Sequence, residues 1–99
     1  MSNEAEPLLV FFCSVQSGPA RRMESLLAQL ARKERTRVRI MRVEVEEQPE
    51  LAEKFRVGAV PTLVLVRRKR VVDRIEGRAS APRIDAMLAR HLSLPAAAA

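Results

Sequence analysis

The chain has 99 residues, 47% of them hydrophobic and 30% charged, enough for one small core and too apolar a balance for a disordered chain. Its net charge of +6 comes mainly from arginine, which admits acidic or nucleic-acid partners without favouring any fold. No apolar run approaches the roughly 20 residues of a membrane span, and the polar residues 1–6 do not read as a signal peptide, so a cytoplasmic protein with no membrane partner is expected.

Leu8 to Cys13 is a continuous apolar run bounded by polar residues, the pattern of a strand buried on both faces. Ser17 can cap the helix that follows, with Gly18 and Pro19 in its first turn, where an amide proton is spare. Met23, Leu26, Leu27, Leu30 and Ala31 then recur at helical spacing and give one apolar face, ending near Lys33. Residues 38–45 are strand-like, but the alternation slips. Val38 and Ile40 share one parity, while Met41, Val43 and Val45 share the other. Either both faces are partly covered or a bulge re-aims the strand.

Glu46, Glu47, Gln48 and Pro49 form a loop into a short helix carrying Leu51, Ala52 and Phe55. The acidic residues before that helix favour its positive N-terminal end. Residues 62–66 are a second buried strand. Arg67, Arg68, Lys69 and Arg70 make a charged turn, and residues 71–75 return as a hairpin partner that Gly77 breaks. Ser80 caps a last helix with Pro82 in its first turn and Ile84, Met87, Leu88, His91 and Leu92 on one face. Pro95 stops it.

The Ser17-Gly18-Pro19-Ala20 turn between strand and helix, Val60-Pro61-Thr62 ahead of the second buried strand, Gly77 after the hairpin and the helical segment 50–57 together resemble the thioredoxin family. The resemblance covers nearly the whole chain. It implies an α/β, thioredoxin-like fold with a mixed four-stranded sheet: a parallel βαβ unit followed by an antiparallel ββα unit. The family's usual first strand and helix are missing. A single domain over residues 1–99 is expected, with its core at about residues 8–92 and loose ends. The missing strand leaves residues 38–45 at a sheet edge, which could recruit a second copy. Arg39 and Arg42 read instead as edge protection, so a monomer is preferred over a dimer.

The resemblance carries the fold and not the chemistry. The family's motif is Cys-Gly-Pro-Cys, in which a thiolate at a helix N-terminus attacks a disulfide and the second cysteine resolves it. Ser17 and Ala20 occupy those two positions and can do neither. Gln16 stands where the family has a tryptophan, and Phe11 where it has a buried acid. Enzymatic dithiol exchange is therefore not expected, and the leading reading is a redox-inactive module that binds a protein or peptide. The family's shallow peptide groove maps onto Gln16, the motif residues Ser17, Gly18 and Pro19, then Val60, Pro61 and Gly77. A cis bond at Val60–Pro61 is implied by the resemblance alone.

Two alternatives stand beside that reading. The single Cys13 could support a thiol activity, but it lies in the buried strand and not at the helix N-terminus, where a free cysteine behaves as a small hydrophobe. The basic patch Arg67, Arg68, Lys69 and Arg70 could contact phosphates. The chain has no Trp or Tyr for base stacking and no nucleic-acid motif, so a solvated turn is preferred. Ser17 as a nucleophile lacks a base, because the only histidine, His91, lies on the last helix. One cysteine and one histidine supply no metal set, and no cofactor or metal is expected.

Overall fold

Leu8–Cys13 forms the strand, β1, from which the rest of the sheet is laid out. The computed structural model describes residues 7–16 and 18–92, for residues 19–21 the backbone only. Helix α1 runs Gly18–Lys33, β2 Arg39–Glu44, α2 Pro49–Lys54, β3 Thr62–Arg67, β4 Arg70–Glu76 and α3 Ala81–His91. The sheet order is β2-β1-β3-β4, with β1 parallel to β2 and antiparallel to β3, and β3 antiparallel to β4. The fold class is the one the sequence implies, and among the described residues β2 lies at one edge of the sheet.

β1 reads as unbroken apolar sequence because both of its faces are covered. Leu9, Phe11 and Cys13 join one cluster with Met23, Leu27 and Leu30 of α1 and Ile84, Met87 and Leu88 of α3. Val10 and Phe12 join the other, against Leu51, Ala52 and Phe55 around α2. The Phe12 and Phe55 rings meet at 5.7 Å between centroids. Each large side chain buried from this strand contributes about 1.5–3 kcal/mol, so β1 anchors both layers.

The slipped alternation of β2 resolves the same way. Its register against β1 is unbroken from Leu8↔Arg39 to Cys13↔Glu44. Val38 and Ile40 pack on the α1–α3 cluster and Val43 and Val45 on the α2 cluster. Both faces are partly covered. A bulge does occur, but in the hairpin: Leu65 pairs with Asp73 and Val66 with Val71. The extra residue, Val72, packs on the α1–α3 cluster, while Val71 is left 47% exposed.

The hairpin turn is tighter than the four-residue basic run implies. Arg67 and Arg70 are paired strand residues, so Arg68 and Lys69 alone make the turn, both with positive φ, 55° and 68°. Two-residue hairpin turns of this hand favour Asn and Gly. A side chain in that region costs about 1–2 kcal/mol per residue.

Ser80 accepts a hydrogen bond from the Arg83 amide at 3.4 Å and caps α3. The matching cap at Ser17 and the stop at Pro95 lie outside the described residues.

Candidate functional site

The end of β1, the start of α1, the loop before β3 and the end of β4 converge on one end of the sheet, where Cys13 aligns with Glu44, and Thr62 with both Phe12 and Glu76. Ser14 organises the approach to the motif. Its hydroxyl contacts the Glu46 carboxylate and accepts from the Gln16 amide at 3.1 Å. In the sequence the sign of this role is the place of Ser14 two residues before the turn amide it binds. Beyond it Val15 is 55% exposed and Gln16 is exposed, as is Gly18 at the start of α1.

Across from them the Val60–Pro61 peptide bond is cis, with Pro61 buried and Val60 half-buried against the α2 cluster. The Thr62 hydroxyl donates to the Ala59 carbonyl at 2.7 Å, closing this loop on itself. The Gly77 amide, at φ 89°, donates to the Pro61 carbonyl at 2.8 Å. Val60 lies between these two ties, and among the described residues neither its amide nor its carbonyl has a backbone partner. The structure thus brings Gln16, Gly18, Val60, Pro61 and Gly77 to one end of the sheet. The backbone of Pro19 and Ala20 continues α1, while Ser17 lies outside the described residues.

Cys13 borders this end from below. It is 1% exposed, and its thiol donates to the Val43 carbonyl at 3.5 Å. Burial pushes the thiol pKa up. Arg42 works against that shift, but Glu24, Glu44 and Glu46 reinforce it. The arginine is itself held by carboxylates, with Nη2 at 2.8 Å from Glu24 and 2.9 Å from Glu44. The Glu24 half of this charge group was not legible in the sequence, because it joins α1 to the end of an edge strand. Phe11 fills the hydrophobic core, 2% exposed.

His91 belongs to the other end. Its Nε2 lies 2.9 Å from Asp73, and its carbonyl accepts from Arg67 Nη1 at 2.7 Å. The basic run therefore divides: Arg67 is folded back onto α3, while Arg68, Lys69 and Arg70 are exposed. Among the described residues no group of three His, Cys, Asp or Glu could hold a metal ion, and no helix is long and apolar enough to cross a membrane.

The sequence matches the family model described as Thioredoxin over residues 1–90. Glutaredoxin-3 of Bos taurus is 33% identical over 86 residues, covering 87% of this chain and 25% of that protein. The chain thus spans about a quarter of the length of the glutaredoxin-3 relatives it matches. The thioredoxin of Alicyclobacillus acidocaldarius subsp. acidocaldarius is 31% identical over 84 residues, 85% of this chain and 80% of that protein. Among solved structures, Fasciola hepatica thioredoxin superposes with a TM-score of 0.83 at 29% identity, covering 90% of this chain and 84% of its own.

Proposed function

This chain belongs to the thioredoxin family, and we propose that it is a redox-silent member that binds an extended protein segment in the groove where its relatives carry out thiol exchange. The observation that carries the reading is the pairing of two facts. Ser17 and Ala20 stand at both cysteine positions of the motif. Across from the motif, the Val60 amide and carbonyl have no backbone partner among the described residues. A free N–H and C=O on one extended residue are what an added strand needs, since main-chain hydrogen bonds supply affinity without any chemistry.

Cys13 does not restore the enzymatic reading. A buried thiol with a raised pKa holds little thiolate, and thiolate is the nucleophile. A chain with one cysteine and no disulfide suits a reducing cytoplasm, and the charged side chain of Arg42 on the β2 edge favours a monomer.

The test has two arms. With dithiothreitol as reductant, insulin reduction should proceed at the uncatalysed rate, and turnover above it would sink the redox-silent claim. Partner capture from the source cell should be lost on Val60→Pro, which removes the free amide donor that an added strand would use, with a far-UV spectrum that matches the parent's. Capture that survives this substitution points to another surface.

A further inference from the structure

We propose that the end of the sheet opposite the groove binds the phosphodiester backbone of single-stranded nucleic acid. The sequence alone favours a solvated turn for residues 67–70. The fold changes that balance by what it adds around them.

A cleft of about 410 Å³ opens beside the hairpin, lined by Arg67, Arg68, Arg70 and Val72. Arg67 is held in place by its bond to the His91 carbonyl, and its buried Nε has no partner. The cleft is thus lined by a positioned guanidinium beside two exposed ones, and guanidinium groups match phosphate oxygens. The turn itself puts Arg68 and Lys69, two adjacent like charges, into left-handed backbone at φ 55° and 68°. Asn and Gly would be easier there. Strain of this kind, kept with repelling charges, points to a function for the cations.

The site also extends beyond the hairpin. Parallel pairing brings Arg39 at the start of β2 level with Leu8, and Leu8 pairs with Val66 beside the turn. Arg35, in the turn before β2, lies at the same end. Arg35, Arg39, Arg68, Lys69 and Arg70 have no ion-pair partner among the described residues. Among the described residues, Glu34 at this end is engaged by Arg37 and Asp73 by Arg90. From β2 to β4 the cations span three strand spacings, roughly 14 Å. A stripe of that length suits a chain of phosphates better than a single one. Without Trp or Tyr to stack on bases, binding is independent of sequence and steeply salt-dependent.

The experiment measures fluorescence anisotropy of a labelled oligothymidylate of about 20 nucleotides, longer than one small domain covers, between roughly 50 and 200 mM salt. Binding should weaken with salt. The pair R68Q/R70Q should lower affinity at least tenfold and flatten the log–log salt slope by about 1.4, or 0.7 per lost contact. Its far-UV spectrum should match the parent's. The charge-matched pair R22Q/R83Q, on exposed residues at the groove end, should change affinity less than twofold. Equal losses in the two pairs would reduce the effect to net charge and overturn the proposal. So would absence of binding at the lowest salt, tighter binding to phosphatidylserine vesicles, or binding of tripolyphosphate without the oligonucleotide.

Discussion

The amide of Gly77 donates to the carbonyl of Pro61 at 2.8 Å, tying the exit of β4 to the loop that enters β3. The bond holds Gly77 at φ 89°, where a Cβ would meet nothing within 4 Å. Substitution there is limited by backbone conformation and not by space.

Gly77→Ala should therefore cost about 1–2 kcal/mol in urea unfolding, the penalty of left-handed backbone for a side chain. A loss well above about 3 kcal/mol would indicate a steric clash that the open surroundings exclude. No loss at all would mean that the loop gives up the bond to Pro61 without cost.

Cys13 should be among the least reactive thiols of its kind. Its burial and raised pKa predict labelling by a disulfide reagent in the native protein about 100-fold slower than in denaturant, limited by local opening. Labelling at similar rates in the two states would show that β1 does not protect the thiol.

The carboxyl of Asp73 is held below its ordinary range, first by the hydrogen bond from Arg90 and then by His91, against the opposing effect of burial. A depressed folded-state pKa stabilises the protein above the unfolded value and is lost as pH falls through the folded one. Asp73 thus supports the fold at neutral pH, begins to lose that contribution below about pH 4, and has lost it once the pH is below its depressed folded value. Asp73→Asn should cost about 1 kcal/mol at pH 7, and the gap to the parent should close as the pH is lowered through that range. A gap that stays constant across the acid limb would show that the carboxylate's charge is not what matters.

Ser80→Ala removes the side-chain acceptor for the Arg83 amide and should cost about 1 kcal/mol. Ser80→Asp should restore it, since an acid at a helix N-terminus also meets the favourable end of the dipole. Failure of the aspartate to recover stability would move the role of Ser80 away from capping.

The sequence by itself determined whatever is local. Six apolar residues in a row, bounded by polar ones, read as a strand covered on both faces, and β1 is that strand. Apolar spacing fixed the inward faces of α1 and α3, and Ser80 with Pro82 fixed where α3 starts. Replacement of both motif cysteines is likewise visible without coordinates, because dithiol chemistry depends on residue type before geometry. The tertiary structure decided what depends on residues far apart in the chain. The bulge at Val72 was hidden because Val71 and Val72 are both apolar, so alternation could not say which faces the core. The field at Cys13 comes from Glu24, Arg42, Glu44 and Glu46, which only the packing of α1 and β2 brings close. The basic run changed most. Residues 67–70 looked like an even, solvated turn, yet the fold docks Arg67 on His91 and carries Arg35 and Arg39 to the same end of the sheet. Charge density is a property of space, and sequence order records it only where neighbours in the chain are also neighbours in the fold.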